Sequence, residues 1–382
     1  MGIEKKRKIV VITGTRAEFG ILTPIIKAIN EHSQLELSII ATAMHLEEKF
    51  GYTLKEIEKT FPTTKLNKIK IELNNKGAAT AEGGGQEIIG CSKALNKLKP
   101  DIAVVLGDRS EIIAASIAIM ENIVVLAHIH GGDRTKGGFD ENRRHAITKL
   151  ANIHFPASPK SAERIKKLGE KEEHIFMVGS PSLDTILNSP LFSKAEIFEK
   201  YNLDINKPTT LLIQHPVTTS PEKSEEQIKA TLEALKEENM QTLAIYPNSD
   251  PGHEEIIKNL LNSGFSTQKS LPHKEYLSLL KYCDIIIGNS SSGMIDASAF
   301  PVAVIDIGIR QEGREHGINV IHCTHSKEEI KKSIKKALSK EFKQNIANPV
   351  SPYGKGTAGK QIAEILATIE INQNLLQKQI TY

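Results

Sequence analysis

Tryptophan is absent from this sequence, and aromatic residues make up only 5% of it. Cysteine is also scarce: Cys91, Cys283 and Cys323 are odd in number and show no C-x-x-C spacing. A disulfide framework and a cysteine-ligated zinc site are therefore disfavoured. Because Cys283 lies in the apolar stretch "LLKYCDIIIG", we expect it to be a buried, unreactive thiol.

The sequence also lacks an excess of charge of one sign and any long apolar run. Its 49 basic and 46 acidic residues leave a formal net charge of +3, which gives no reason to expect a nucleic-acid partner. The basic run "EKKRK" at 4–8 is interpreted as a solvated lead-in to the first strand. No apolar stretch reaches the roughly 18 residues of a membrane span, and the start of the chain lacks a signal-peptide pattern. We expect a cytoplasmic protein with no membrane partner.

Short apolar runs alternate with helical periods along most of the chain. These runs are apolar at consecutive positions, as is typical of parallel strands covered by helices on both faces. The predicted strands are 8–15, 35–43, 102–108 and 122–130, and, after a restart near residue 180, 209–216, 241–250, 283–293, 301–308 and 319–323. Two successive arrays predict an α/β fold with two Rossmann-like, doubly wound domains and an intervening cleft.

The restart sets the predicted domain boundaries. Residues 1–178 form the first domain, which carries the candidate acid/base residues. Residues 179–357 form the second, which is predicted to bind a nucleotide diphosphate. Residues 358–382 are predicted to form a C-terminal helix that is able to pack back on the first domain.

Functional residues of open parallel sheets gather just past the carboxyl ends of the strands. In the first domain "TGTRAEFG" places Arg16 at a helix start, which favours anions, although an ordinary turn with a surface arginine would look the same. "GDRSE" places Asp108, Arg109 and Glu111 after another strand, where the alternative for an aspartate is helix capping. The "GGG" at 83–85 is interpreted as part of a polar, flexible loop.

The second domain contains "GNSSSGMIDASAF" at 288–300. Serine hydroxyls and free N–H groups at a helix start suit a phosphate or diphosphate, although plain N-capping is the alternative. We expect this helix to begin near Gly293, with Asp296 one turn into it, placed to bind ribose hydroxyls. Arg310 and Arg314 follow the next strand and favour a pyrophosphate.

The stretch "HIHGGDRTKGGFDENRRH" at 128–145 has three interpretations: a metal site, an acid/base site or a solvated loop. The nearby arginines disfavour a divalent cation, so we expect no metal. Asp133 and Asp140, facing Asp108 from the neighbouring strand, would shift one another's pKa values apart and so allow acid/base chemistry. His128 and His130 are interpreted as strand-end histidines, one buried and one lining the cleft.

Several of these motifs, in order along nearly the whole chain, resemble the hydrolysing UDP-N-acetylglucosamine 2-epimerases. The resemblance implies a GT-B-like fold and a reaction without metal or cofactor. In that reaction, C2 is deprotonated and UDP leaves by anti elimination, giving a 2-acetamidoglucal; hydration then yields N-acetylmannosamine. It also implies a homodimer or homotetramer and a role in sialic-acid biosynthesis. The motifs are "TGTRAEFG", "GDRSE", "HIHGGD", "FDENRRHAITKL", "QHPVTT", "YPNSDPG", "GNSSSGMIDA" and "DIGIRQEGRE".

The resemblance also implies a set of site residues. The catalytic ones are Asp108, Asp133, Asp140 and His215. The residues expected to contact the nucleotide sugar are Arg16, His45, Arg144, His145, Ser290, Ser291, Asp296 and Arg314.

Asp133 and Asp296 depart from the family pattern, because both positions usually carry glutamate. Sugar and nucleotide identity therefore stay open between UDP-N-acetylglucosamine, UDP-2,4-diacetamido-trideoxyglucose and GDP-N-acetylglucosamine. The alternatives for the activity are a non-hydrolysing UDP-N-acetylglucosamine 2-epimerase, a GT-B glycosyltransferase and a non-catalytic nucleotide-sugar sensor. The acidic cluster at 108, 133 and 140 is surplus to the last two roles.

Overall fold

Twelve strands and sixteen α-helices lie in the described part of the chain. The computed structural model describes residues 6–48, 51–72, 77–134, 140–188, 190–217, 219–248 and 250–382, with the backbone alone at 77–80. The strands are β1 Arg7–Thr13, β2 Leu35–Thr42, β3 Lys65–Ile69, β4 Ile102–Leu106, β5 Val125–Ile129, β6 Ile153–Phe155, β7 Thr209–Ile213, β8 Gln241–Ile245, β9 Ser266–Gln268, β10 Ile285–Gly288, β11 Ala303–Ile307 and β12 Val320–Cys323.

The helices cover both faces of the strands and are spaced along the whole chain. They are α1 Arg16–Glu31, α2 Leu54–Thr60, α3 Gly77–Leu98, α4 Ser110–Glu121, α5 Asp140–Leu150, α6 Pro159–Lys167, α7 Pro181–Asn188, α8 Lys194–Lys200, α9 Ser224–Glu237, α10 His253–Leu261, α11 His273–Tyr282, α12 Ser291–Met294, α13 Lys327–Leu338, α14 Lys340–Asn345, α15 Ala358–Thr368 and α16 Gln373–Leu376. None of the helices described is long and apolar enough to cross a bilayer.

The strands form two six-stranded parallel sheets with the same internal order. The first runs β3-β2-β1-β4-β5-β6 and the second β12-β11-β10-β7-β8-β9, which is the Rossmann order 3-2-1-4-5-6 in both cases. The predicted α/β, two-domain, GT-B-like fold class is confirmed. In each sheet the order reverses at one point, between β1 and β4 and between β7 and β10, and ligands of such sheets bind there.

The apolar runs are consecutive because each sheet has two buried faces. Along β1, Ile9 and Val11 pack into one hydrophobic cluster, whereas Val10 and Ile12 pack into another. Successive strand side chains point to opposite faces, so every position of such a strand must be apolar. This explains why the interior strands could be located from sequence.

The chain divides into two compact units. One contains the described residues up to Asp133, those from 140 to Thr185, and Gly354–Tyr382, and the other contains Ile186–Tyr353 together with Arg134. The chain therefore leaves the first unit within α7 and returns to it shortly before α15. The Asp184 carboxylate on α7 joins these two points by accepting hydrogen bonds from the N–H groups of Ala358 and Gly359, at 2.9 and 2.7 Å.

The interpretation of the "GGG" at 83–85 as a flexible loop is wrong, because these residues lie inside α3. Glycine is a poor helix former, but tertiary packing overrides this propensity here. A Cβ at Gly83 would lie 2.8 Å from the carbonyl oxygen of Glu72, and one at Gly90 would collide with Ile69. The glycines thus allow α3 to approach the segment that follows β3.

The predicted C-terminal helix is interrupted: α15 ends at Thr368, and the short α16 begins at Gln373. Beyond α16, the Lys378 ammonium reaches the buried Glu170 carboxylate at 2.7 Å and the carbonyl oxygen of Ala151 at 2.6 Å. Lys149, at 2.5 Å, and His154, at 3.1 Å, also bond to Glu170. Burial raises the pKa of Glu170, but the hydrogen bonds from these three side chains lower it to about 2. The terminal segment is therefore fixed by a buried charge cluster.

Removing either partner of this cluster should destabilise the fold. We expect Lys378→Met to lower the free energy of unfolding by about 1.5–3 kcal/mol and Glu170→Gln by about 3–5 kcal/mol. Each substitution removes a partner from charged groups that stay buried. The matched control is Lys68→Met, which breaks an exposed 2.9 Å pair with Glu58 and should cost less than about 1 kcal/mol. Urea unfolding measures all three.

The same cluster sets a pH dependence. The folded-state pKa of Glu170 lies below its ordinary value, so its stabilisation is present at neutral pH and disappears as pH falls from about 4.5 towards 2. The difference in stability between wild type and Glu170→Gln should therefore shrink over that range. A difference that stays constant down to the acid end would contradict the assignment.

Candidate functional site

Arg16 and Asp108 follow the two strands at the reversal point of the first sheet. Arg16 is the first residue of α1, whose N-cap is Thr15, and it forms a half-exposed ion pair with Glu56 at 3.0 Å. Asp108 comes two residues after β4 and forms an ion pair with the buried guanidinium of Arg144 on α5. The sequence analysis assigned Asp108 and Arg144 to the site separately, and the structure shows that they form an ion pair.

Arg144 interacts with all three predicted acidic residues, by hydrogen bonds or through their charge. Its Nη1 donates to the backbone oxygen of Asp133 at 2.8 Å, while its other end binds Asp108. Burial works against its charge, but the negative charges of Asp108, Asp133 and Asp140 raise the pKa of Arg144. Arg144 is therefore bonded to the Asp108 carboxylate and to the backbone of Asp133, and the charge of Asp140 also acts on it.

The three carboxylates differ in how much solvent they meet. The Asp140 side chain is 44% exposed and that of Asp108 is 22% exposed, whereas that of Asp133 is only 6% exposed. Both Asp133 oxygens face donors: Oδ2 lies 3.0 Å from His130 Nδ1, and Oδ1 accepts from Ser161 Oγ at 2.8 Å. Asp108 and Asp140 are thus the carboxylates that a ligand can reach, and Asp133 is the partner of a histidine.

His130 is held tightly between Asp133 and Ser180. Its Nε2 lies 3.1 Å from Ser180 Oγ, and its backbone has a φ of 62°. A non-glycine residue in this left-handed region stores strain on the order of 1–3 kcal/mol, and such strain clusters at functional sites. His130, like His128, is buried, whereas the sequence interpretation expected only one of the two histidines to be buried.

His128 is a core residue. Its Nε2 donates to the carbonyl oxygen of Gly107 at 2.8 Å, and its Nδ1 lies 3.2 Å from the hydroxyl of Thr148. Burial lowers the pKa of His128 to about 3, so the ring is neutral. It fixes the end of β4 just before Asp108 and is not an acid/base candidate.

The other two predicted histidines of this unit have different surroundings. Both ring nitrogens of the buried His45 are occupied, by Thr13 Oγ1 at 3.1 Å and Thr53 Oγ1 at 2.7 Å, and burial lowers its pKa to about 4. His145 on α5 lies 3.4 Å from Glu141 through Nε2, while its buried Nδ1 has no hydrogen-bond partner within the described residues.

Sequence reasoning missed two buried acids close to this edge of the sheet. Glu18 accepts the N–H groups of Gly14 and Thr15 through Oε2, at 2.8 and 3.2 Å. Burial and the nearby charge of Glu111 raise the pKa of Glu18, so this pair retains a proton more readily than isolated carboxylates do. The one sequence signal, glutamate three residues after Thr15, predicts a capping box rather than chemistry.

Glu87 on α3 is the second missed acid. It bonds to Thr42 Oγ1 and accepts from Cys91 Sγ at 3.2 Å. The Thr42 hydroxyl has one proton, and the carbonyl oxygen of Ile69 also accepts from it, at 3.0 Å. Burial raises the pKa of Glu87 to about 7, which suits a carboxylic acid that donates to Thr42.

His215 and Asn289 lie at the reversal point of the second sheet. The Asn289 side chain links the two loops, because Oδ1 accepts from the His215 N–H at 2.7 Å and Nδ2 donates to the His215 carbonyl at 2.9 Å. The backbone N–H of Asn248 donates to His215 Nδ1 at 3.1 Å. Burial and the charge of Arg310 lower the pKa of His215 to about 3. His215 is therefore neutral at neutral pH.

The serine motif follows β10 as predicted, but the helix after it is short. Ser290 caps α12, which starts at Ser291 and ends at Met294. The expectation that Asp296 lies one turn into this helix is wrong, because Asp296 opens a separate 3-10 turn, Asp296–Ala299. The Ser292 hydroxyl bonds to Tyr276 of α11. Ile295 therefore separates α12 from the turn that contains Asp296.

The arginine loop that follows β11 is bonded to the same serine motif. Arg310 Nη1 and Gln311 Nε2 donate to the carbonyl oxygen of Asn289 at 3.0 and 2.9 Å. Arg314 lies in the next turn, its N–H bonded to the Gln311 carbonyl at 3.1 Å. Arg310, Ser290 and His215 therefore all border Asn289, and they present cationic and N–H or O–H donor groups suited to an anion.

Comparison with known proteins finds a matching family and similar relatives. Residues 27–367 match the family model described as UDP-N-acetylglucosamine 2-epimerase. The chain is 34% identical to the UDP-N,N'-diacetylbacillosamine 2-epimerase (hydrolyzing) of Legionella pneumophila, covering 98% of this chain and 100% of that protein. It is also 34% identical to the UDP-N-acetylglucosamine 2-epimerase of Neisseria meningitidis, covering 87% and 88% of the two chains.

A solved structure shows the same fold. The UDP-GlcNAc 2-epimerase from Neisseria meningitidis bound to UDP-GlcNAc superimposes with a TM-score of 0.81 at 19% identity, covering 94% of this chain and 99% of that one. The family match spans most of the chain, and the 34% identity extends over nearly all of it. This chain therefore belongs to the UDP-N-acetylglucosamine 2-epimerase family.

Proposed function

We propose that this chain is a hydrolysing 2-epimerase that converts UDP-N-acetylglucosamine, or a close relative, and water into N-acetylmannosamine, or its relative, and UDP. The observation that carries the proposal is the acidic group at the buried Arg144, which binds the Asp108 carboxylate and the backbone oxygen of Asp133 and whose pKa is raised by the charges of Asp108, Asp133 and Asp140. A nucleotide-sugar binding protein or a glycosyltransferase has no need for it, whereas proton transfer at carbon does.

The proposed reaction needs two proton transfers and one leaving group. A base removes the proton from C2 while the bond from C1 to the diphosphate oxygen breaks, so UDP leaves and a C1–C2 double bond forms. Water then adds its oxygen to C1, and a proton returns to C2 from the opposite face. The balance is one water consumed and no net change in oxidation state, so protein acids and bases suffice.

The accessible carboxylates Asp108 and Asp140 are the candidates for exchanging protons with the sugar. Asp133 is assigned a positioning role: it holds Nδ1–H of His130, which leaves Nε2 as the nitrogen able to accept a proton. A carboxylate that orients a histidine also stabilises the imidazolium that forms. The positive charge of Arg144 offsets the mutual repulsion of the carboxylates and so keeps them in place.

In the second unit, the residues around Asn289 are assigned to the leaving diphosphate. His215, a neutral imidazole, is proposed to hydrogen-bond the diphosphate without adding charge, and Arg310 supplies the cation. Hydroxyl and N–H donors at Ser290 and Ser291 complete an anion site. Asp296 is proposed to bind the ribose, and Arg16, His45, His145 and Arg314 retain their proposed roles as nucleotide-sugar contacts.

The hydrolysing branch is favoured by the motifs "HIHGGD" and "QHPVTT". The Legionella relative is named as hydrolyzing, whereas the Neisseria relative is named without that word. The names of these two relatives also specify different sugars. A side-by-side assay of UDP-N-acetylglucosamine, UDP-2,4-diacetamido-trideoxyglucose and GDP-N-acetylglucosamine identifies the substrate of this chain.

Incubation of the enzyme with its substrate in deuterated water tests the chemistry. We expect UDP and a free 2-epimeric sugar carrying deuterium at C2, because the proton that returns comes from solvent. NMR and mass spectrometry of the products make the measurement, with added EDTA leaving the rate unchanged. A product without deuterium would contradict the elimination, and a nucleotide-linked epimer would assign the chain to the non-hydrolysing branch.

A further inference from the structure

Two histidines outside the proposed catalytic groups point their ring nitrogens at each other. His322 lies on β12, and His316 lies in the loop that connects β11 to β12. Their Nε2 atoms are 3.2 Å apart, with ring centroids at 4.8 Å and ring planes at 72°. Both residues are exposed. The pair is therefore open to a small ligand from solvent.

The opposite nitrogen of each ring faces an atom that can only accept. His322 Nδ1 lies 2.8 Å from Asp306 Oδ2, and His316 Nδ1 lies 2.9 Å from the carbonyl oxygen of Gly317. Each Nδ1 must therefore carry a proton to make its bond. In the neutral rings, both lone pairs are then on Nε2, and they face each other with no donor between them. Such a contact is repulsive unless a proton or a metal ion lies between the two nitrogens.

Asp306 strengthens the case for a cation. It is only 1% exposed, and its second oxygen, Oδ1, accepts no hydrogen bond within the described chain. A buried carboxylate with one partner is costly unless positive charge is close. A carboxylate that holds the far N–H of a histidine is also the usual outer partner of a metal-ligating imidazole.

We propose that His316 and His322 form a binding site for a divalent transition-metal ion of the zinc class. With metal–nitrogen distances of about 2.0–2.1 Å, two imidazole ligands of a tetrahedral ion lie about 3.3–3.4 Å apart, close to the 3.2 Å found here. Imidazole favours zinc, cobalt, nickel or copper over magnesium or calcium. No group of three or more potential ligands occurs in the described residues, so water completes the coordination.

A metal at this position would tie the arginine loop to the sheet. The loop between β11 and β12 begins with Gly308, carries Arg310 and Arg314, and continues to His316, while His322 is fixed in β12. One bound ion would therefore restrain the segment that supplies cations to the proposed diphosphate site. The site is separate from the proton-transfer residues, and its test does not depend on the proposed activity.

Cobalt binding to the full-length, untagged chain at neutral pH tests the proposal. We expect one Co²⁺ per chain by equilibrium dialysis, with affinity at least about tenfold weaker in His316→Ala and in His322→Ala, since each removes one of two protein ligands. His253→Ala, which removes a histidine of the same unit that lies apart from the pair, is the matched control and should bind as wild type does. His316→Cys should still bind and should gain a thiolate-to-cobalt charge-transfer band in the near ultraviolet.

The cysteine variant locates the ion independently of affinity. Circular dichroism verifies the fold of each variant, because His322→Ala removes the imidazole that bonds to the buried Asp306, whereas His316 contacts only the backbone and His322 through its ring nitrogens. Equal Co²⁺ binding by wild type and the double variant His316→Ala/His322→Ala would overturn the proposal. Absence of the thiolate band from a Co²⁺-saturated His316→Cys chain would do the same, leaving the pair to share only a proton.

Discussion

Asp133→Asn should reduce turnover by on the order of 10³–10⁴-fold, comparable to replacing the carboxylate that orients a catalytic histidine with an amide. The Asp133 oxygens face Nδ1 of His130 and the hydroxyl of Ser161. With Oδ1 still accepting from Ser161, the amide would turn its NH₂ group towards His130 and favour the tautomer with the proton on Nε2. The nitrogen proposed to accept a proton would then be blocked. Steady-state release of UDP measures the effect.

Two controls separate this role from a structural one. Ser161→Ala removes the other bond of Asp133 but keeps the histidine pair, so its turnover should fall by less than about tenfold. UDP affinity, measured by calorimetry, should be unchanged in both variants because the proposed diphosphate contacts lie in the other unit. Turnover of Asp133→Asn within about threefold of wild type would remove Asp133 from the proposed mechanism.

Arg144→Met should have the second large effect, on stability and activity together. The buried guanidinium binds Asp108 and the backbone oxygen of Asp133, so its loss leaves Asp108 without its cation. Breaking a buried ion pair costs about 3–5 kcal/mol in unfolding free energy. Displacement of the proton-transfer groups should lower kcat on the order of 100-fold in the molecules that remain folded.

A double variant distinguishes the two contributions. Asp108→Asn/Arg144→Met contains no stranded charge and should recover most of the lost stability, while activity stays low because the Asp108 carboxylate is gone. Arg143→Met is the matched control: it removes the neighbouring arginine of α5, whose exposed pair with Asp140 is 3.8 Å long, and should cost about 0.5 kcal/mol or less. Recovery of activity in the double variant would show that Asp108 serves only to balance Arg144.

The sequence predicted the architecture where burial leaves an unambiguous pattern. Strands β1, β4, β7 and β10 are interior strands with two covered faces, so their residues are apolar in succession and the loops after them could be located. Arg16, Asp108 and Ser290 were selected on that basis and His215 from the family resemblance, and the structure puts all four after the strands where strand order reverses. The edge strands β3, β6 and β9 went unrecognised because they have only three to five residues each.

What the sequence could not reveal depends on contacts between distant segments. In the sequence, Gly83 looks like a loop residue. Only the structure shows that the carbonyl oxygen of Glu72 lies close to it and that a side chain would not fit there. Glu87 looks like an ordinary helix residue in the sequence, and only its burial in the structure raises its pKa to about 7. Likewise, Asp133 looked like a carboxylate exposed to a substrate, and only the positions of His130 and Ser161 show that it is turned inward.

The discontinuity of the first unit has a consequence for how the protein is made. Ile362 and Leu366 of α15 belong to the same hydrophobic cluster as Ile9 and Ile25, yet the ribosome adds them after the whole of the second unit. During synthesis, the second unit can complete its core while the first still exposes the groove that α15 will fill. We therefore expect the nascent chain to acquire protease resistance first in Ile186–Tyr353, the opposite of the usual order from the N-terminus.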